Sequence, residues 1–240
     1  MSRIVFGVQP VREAIRVHGS AIERVVIEHK PNPKLEALGR FAEGRGVRVE
    51  SAPRADLDRA AGAGRHQGVL AMAPDLVLRN LADVPALPTS VVVALDGIMD
   101  PQNFGAIVRS AVALGATAIV WPEHSSAPLS PAMFRASAGA IEHAVLCRVH
   151  ARPQAMQDLG QRGLTVIGLD AQGPTELGAL DLRGPVAIVI GAEDKGARRS
   201  VLRACHHVAR LPMTGPISSL NASVASALAL YEILRQRQTV

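Results

Sequence analysis

Three short stretches gather side chains able to bind or transform a polar ligand: DPQNFGAIVR (100–109), IVIGAEDKG (188–196) and RLPMTGPISSLNASVAS (210–226). In the first, Asp100 suits a helix N-cap and Pro101 the first helical position. Phe104, Ile107, Val108, Ala111 and Leu114 then recur at helical spacing and supply an apolar stripe. Arg109 lies off that stripe, and because helical side chains lean towards the N-terminus, its guanidinium is directed at the turn that holds Asn103. Taken alone, such an Arg reads as a solvated surface residue beside an ordinary cap. In the third stretch, Pro212, Gly215 and Pro216 stiffen a loop while Ser218, Ser219, Asn221 and Ser223 crowd the start of a helix. Each of these four is by itself an ordinary capping residue. Together they describe a binding surface.

Each stretch sits at the carboxyl end of an apolar run, SVVVAL, PVAIVI or HVARLP, that reads as a buried strand. From Ser90 onwards such runs alternate with helices: 101–115, 131–138, about 153–161, about 198–206 and a last one from about Leu220 to Arg237. This predicts an α/β domain with a parallel sheet over residues 90–240, whose ligands sit at the carboxyl edge of the strands. Residues 1–76 alternate in the same way and predict a separate small α/β domain. Between them, Pro74, Pro85 and Pro88 interrupt any period, so residues 77–89 read as a linker.

Composition narrows the functional classes. The 240-residue chain is 48% hydrophobic, ample for a core, and its net charge of +5 favours a polyanionic partner. The basicity is spread out, with 12 Lys and Arg against 9 Asp and Glu in residues 1–76 and 14 against 12 in the remainder. Aromatic residues make up only 2%, so phosphate and shape contacts are favoured over stacking on aromatic platforms. Cys147 and Cys205 lack zinc-ligand spacing and do not form a disulfide framework. The adjacent Cys205, His206 and His207 face different ways and cannot share a metal, so no metal is expected. With charges at Arg3, Arg12, Glu13 and Arg16 and no long apolar run, neither secretion nor membrane insertion is expected, and the location expected is the cytoplasm.

The usual nucleotide fingerprints fail. GAGRHQG (62–68) lacks dinucleotide-site spacing, and GAEDKGA (191–197) has Ala197 where a phosphate-binding loop needs Lys. An NAD-linked oxidoreductase and an NTPase are thereby set aside.

The three stretches, in this order and near these spacings, resemble the signature motifs of the SpoU family of RNA ribose 2'-O-methyltransferases. FGVQPVREAI and GRHQGVLA, at the two ends of the first segment, are similar to the small RNA-binding domain of members that methylate a guanosine of large-subunit ribosomal RNA. The resemblance covers nearly the whole chain. Asp194-Lys195 departs from the Gly-containing turn more usual after the motif Glu, and Ala222 stands where Val is common.

The resemblance implies a parallel sheet whose C-terminal segment forms a deep trefoil knot, a homodimer, and S-adenosylmethionine held by backbone around Gly191, Leu211, Met213 and Leu220. It implies Asn103, Arg109, Glu193, Ser219 and Asn221 as the catalytic set, with Arg109 as the proposed general base. A guanidinium with a pKa above about 12 is a poor proton acceptor, which leaves an electrostatic clamp as the alternative role. Transfer RNA as substrate and a non-catalytic RNA-binding protein on the same scaffold are the competing readings. In the last helix, Leu228, Leu230, Ile233 and Leu234 offer apolar surface for the core or for a second copy.

Overall fold

The computed structural model describes residues 2–62 and 64–238. In chain order its elements are β1 (Ser2–Phe6), α1 (Val8–His18), β2 (Arg24–Glu28), α2 (Pro33–Glu43), β3 (Val49–Ala52), α3 (Arg54–Ala61), β4 (Val69–Pro74), β5 (Leu78–Arg79), β6 (Val91–Asp96), α4 (Pro101–Ala113), β7 (Ala118–Pro122), α5 (Pro131–Ala136), β8 (Leu146–Val149), α6 (Arg152–Gln161), β9 (Thr165–Leu169), β10 (Thr175–Glu176), β11 (Val186–Gly191), α7 (Arg199–Leu202), β12 (His207–Arg210) and α8 (Ala222–Gln238). They form two compact units. One comprises Met1–Val77 with Leu129–His143, the other Leu78–Pro128 with Ala144–Val240.

The first unit carries a four-stranded sheet in the order β1-β4-β2-β3, in which β4 runs antiparallel to both neighbours. Val11 and Ile15 of α1 and Leu35 and Leu38 of α2 bury their side chains with Val25 and Val69 from the sheet. The segment 129–143, which the sequence assigns to the larger domain, belongs here. The helix expected over 131–138 opens at Pro131 behind the Ser130 cap but stops at Ala136. A 3-10 turn, Ala140–His143, follows and brings two carboxylates into use. The wholly buried Glu142 pairs with Arg3 at 2.5 Å and His18 at 2.8 Å, while Glu13 on α1 receives His143 at 2.9 Å and Arg16 at 3.0 Å. Gly139 has φ +84°, and a Cβ there would stand 2.8 Å from that of Glu13, so only glycine lets the segment lie against α1.

The second unit is an eight-stranded sheet in the order β10-β12-β9-β11-β6-β7-β8-β5. Every ladder in it is parallel. All six residues of β6 are buried, as a strand covered on both faces by helices must be. On α4, Phe104 packs edge-on against Trp121 of β7 with ring centroids 5.6 Å apart. Ala222, Ser226 and Ala229 form a small-residue stripe on α8, which packs against α4.

Several sequence boundaries shift. The proposed linker 77–89 is not wholly irregular: Leu78 and Arg79 pair with Leu146 and Cys147 at the sheet edge, and Asn80 and Asp83 cap a 3-10 turn. Prolines at 85 and 88 leave room for a two-residue edge strand before them. Helix α7 spans four residues instead of 198–206, because His206 N–H already donates to Val166 O and starts the next strand. Of the four apolar positions on the last helix, Leu230 and Ile233 are core, whereas Leu228 is exposed.

Candidate active site

Strands β6, β11 and β12 end at Asp96, Gly191 and Arg210, and because all are parallel their loops open on one edge of the sheet. The first loop turns into α4 through Asp100, whose carboxylate accepts from Gln102 N–H (3.2 Å) and Asn103 N–H (3.0 Å). Asn103 therefore stands in the first helical turn. The third loop turns into α8 through Asn221, whose Oδ1 accepts from the backbone of Ser223 (2.9 Å) and Val224 (3.3 Å) and from the Ser223 hydroxyl.

The other end of the same carboxamide joins the three loops. Asn221 Nδ2 donates to Asn103 Oδ1 at 3.0 Å and also to Glu193 Oε1. One residue thus caps a helix and ties together a side chain from each of the other two motifs. Replacing Asn221 by Ala removes all of this: we expect about 1 kcal/mol of lost stability from the cap alone, read as a fall of the thermal midpoint. Asn221→Asp restores the cap acceptor but not the two donated bonds, so it recovers the midpoint more fully than the activity.

Beside this trio lies a cavity of about 300 Å³. Its walls include Leu169, Ile190, Gly191, Leu211, Met213 and Leu220, with Ser218 and Ser219 on the third loop and Glu193 on the second. All four residues expected to hold a cofactor line it. The second loop is closed by paired backbone bonds, Ala192 N–H to Gly196 O (3.1 Å) and Gly196 N–H to Ala192 O (2.8 Å), with Gly196 at φ +64°. Asp194 and Lys195 occupy its exposed tip, where the departure from the usual Gly-containing turn is accommodated. Gly191 is fixed by close approach: a Cβ there would lie 1.9 Å from Ala197 N and 2.1 Å from Gly196 C.

Asn103, Glu193 and Asn221 are thus in direct contact, and Ser219 lies on the adjoining cavity wall. Arg109 is not drawn into that contact. It is exposed on α4, and among the described residues it has no hydrogen-bond or ion-pair partner. Six residues separate it from Asn103, about 9 Å along the axis and a third of a turn around it.

Two features escape the sequence reading. Leu169, Asp170 and Gln172 contribute a wall because β9 neighbours β11 in the sheet, an adjacency that linear spacing does not disclose. Asp96, at the end of β6, pairs with Arg152 from α6; its position as a charged residue closing an apolar strand was the available signal. Neither cysteine offers a nucleophile, since burial pushes the Cys147 and Cys205 thiols up to about 11. Among the described residues no group of three His, Cys, Asp or Glu side chains is placed to hold a metal, and no helix is long and apolar enough to cross a membrane.

Residues 90–231 match the SpoU rRNA Methylase family, and residues 4–76 match the RNA 2'-O ribose methyltransferase substrate binding family. Over 241 residues the chain is 37% identical to the 23S rRNA (guanosine-2'-O-)-methyltransferase RlmB of Pseudomonas putida, an alignment covering 98% of this chain and 96% of that one. It is 38% identical over 248 residues to an uncharacterized tRNA/rRNA methyltransferase of Mycolicibacterium vanbaalenii, covering 99% and 78%. The SpoU methyltransferase AviRb from Streptomyces viridochromogenes, solved in complex with the cofactor AdoMet, superposes with a TM-score of 0.83 at 27% identity, covering 99% of this chain and 91% of that one.

Proposed function

We propose the following activity for this protein, which belongs to the SpoU rRNA methylase family: it transfers a methyl group from S-adenosylmethionine to the 2'-hydroxyl of a guanosine ribose in large-subunit ribosomal RNA. The observation that carries the reading is the Asn221 carboxamide joining Asn103 and Glu193 at the rim of a cavity lined by Gly191, Leu211, Met213 and Leu220. The cavity suits the cofactor. Its volume lies at the lower end of small-molecule sites, its leucine, isoleucine and methionine walls fit a flat base, and the glycine at 191 lets backbone approach closely.

S-adenosylmethionine, when bound, supplies a methyl group made electrophilic by its sulfonium. The backbone around Gly191, Leu211, Met213 and Leu220 holds it, and Ser219 lends a hydroxyl from the same wall. Asn103, Glu193 and Asn221 form a fixed polar edge that orients the ribose. Because a guanidinium does not give up its proton in proteins, Arg109 acts as a clamp: it grips an RNA phosphate and stabilises the 2'-alkoxide as the hydroxyl proton leaves to water. That it has no partner among the described residues suits a side chain reserved for the substrate.

The unit built from residues 1–77 and 129–143 selects the RNA, and the unit built from residues 78–128 and 144–240 catalyses, in place of a division into 1–76, a linker 77–89 and 90–240. The match of residues 4–76 to a substrate-binding family, and the long alignment with a 23S rRNA enzyme, support ribosomal over transfer RNA. The polar trio argues against a scaffold that only binds. We place the protein in the cytoplasm, with its RNA. Membership of the SpoU family supports a C-terminal segment threaded into a trefoil knot. Exposed Val224, Leu228 and Tyr231 recur at i, i+4 and i+7 on α8 and support a homodimer through that face. The parent is expected to sediment at twice the chain mass of 25.2 kDa. Leu228→Glu, which leaves the core untouched, should shift it to the monomer.

The direct test incubates the protein with methyl-labelled S-adenosylmethionine and large-subunit rRNA, then digests the RNA to nucleosides. Label in 2'-O-methylguanosine is the expected result. Label only in transfer RNA, or on a base, overturns the assignment.

A further inference from the structure

The second loop bears Glu193 and one wall of the cavity; Glu193, Asp194 and Lys195 are exposed, Ala192 pairs with Gly196, and Ala197 is buried. Asp96 touches both of its ends. At the entry, Asp96 is the strand partner of Gly191 in the β6–β11 ladder. At the exit, its Oδ2 accepts from Arg198 N–H at 2.8 Å. The carboxylate is only 2% exposed, and its other oxygen lies 3.1 Å from Arg152 Nε. Arg152 is in turn tied to His124 O through Nη2 at 2.6 Å. Val120, Trp121, Met156, Val189 and Val201 surround the pair with apolar surface. A carboxylate sunk in such surroundings must keep its partners, since an unpaired buried charge is far costlier than a paired one. That requirement makes the hydrogen bond to Arg198 N–H a rigid fastening rather than an incidental one.

We propose that Asp96 is a positioning residue that buckles the 192–197 loop shut and thereby sets the cofactor wall and the place of Glu193. The inference rests on the cofactor reading above and extends it to a residue outside the three motif turns. Arg152 balances the charge of the buckle from behind as an ion pair without an aligned hydrogen bond. Asp96 reaches neither cavity nor RNA; it acts through the backbone of the loop.

Arg198 permits a clean test, because its φ of −61° is already that of proline. Arg198→Pro deletes the N–H that Asp96 grips and puts a ring carbon in its place, which forces the carboxylate and the loop end apart, whereas Arg198→Ala removes the exposed side chain and keeps the N–H. Titration calorimetry with S-adenosylhomocysteine should give Arg198→Ala an affinity within about two-fold of the parent and Arg198→Pro an affinity at least ten-fold weaker. Amide hydrogen exchange of the ligand-free proteins should be faster across 192–197 in the Pro variant alone. Equal affinity and equal exchange in the two variants overturn the proposal. Should the Pro variant not fold, Asp96→Asn against Asp96→Ala decides: Asn keeps an acceptor for Arg198 N–H and should recover loop protection, and identical exchange in both would sink the idea. A parent that fails to bind S-adenosylhomocysteine refutes the cofactor reading, while the exchange data still judge the buckle.

Discussion

Arg109→Ala is expected to reduce single-turnover methyl transfer by roughly 100- to 10,000-fold, the range associated with losing a charge-stabilising or proton-handling group. Cofactor affinity is expected to stay within about two-fold of the parent. The separation follows from position. Arg109 is absent from the cavity lining, which is built from the ends of β9 and β11 and the loop after β12, so its loss removes nothing from the walls of the proposed cofactor site. It is exposed and unpartnered among the described residues, so its loss also leaves the fold nearly as stable, within about 0.5 kcal/mol. A rate within three-fold of the parent at saturating RNA would remove Arg109 from the chemistry. A large loss of cofactor affinity would place it in the wrong half of the site. Arg109→Lys separates the two roles: a point charge retains part of the phosphate grip but not the bidentate fork, so Lys recovers RNA affinity more than rate.

Gly191→Ala has the opposite signature. The added methyl would stand 1.9 Å from Ala197 N and 2.1 Å from Gly196 C, both backbone atoms that no rotamer change can move. Either the 192–197 loop shifts outward or β11 shifts in its ladder, and the ladder is held on both sides by β6 and β9. The loop yields. Overpacking of this kind costs about 1–3 kcal/mol, and if the bound form of the loop bears it, cofactor affinity falls about 5- to 150-fold. Titration with S-adenosylhomocysteine measures it. An unchanged affinity would mean that the loop is not a wall of the cofactor site. RNA affinity, measured without cofactor, is expected to change little.

Much of the site could be read from the chain because its signals are local. Asp100 and Pro101 specify the start of α4, and Asn221 with Ser223 specifies the start of α8, through side-chain bonds to backbone two or three residues away. Apolar strands buried on both faces announce a parallel sheet. What stayed hidden depends on partners far along the chain. Ser130 and Pro131 declare a helix but not which sheet it joins; that is decided by Glu142 meeting Arg3, 139 positions away. Leu228 and Leu230 look alike in sequence, yet two residues on a helix lie about 200° apart, and one faces solvent while the other faces the core. The role of Asp96 has no local signal beyond a charge after an apolar run, because its two partners, Arg152 and Arg198, come from separate elements.

The segment 129–143 changes how the protein can be taken apart. The chain passes between the two units three times, after Val77, after Pro128 and after His143. Cutting once near residue 89 is therefore not equivalent to removing a domain. It would leave Glu142 with neither Arg3 nor His18, His143 without Glu13, and the ring of Phe134 without the guanidinium now 5.0 Å from it. Grafting the smaller unit onto another protein requires carrying both pieces, like a garment whose lining is sewn into the other half. Substitutions along α1 and along 129–143 are expected to drift together over evolutionary time, as paired halves of one folded unit that the linear order of the chain separates.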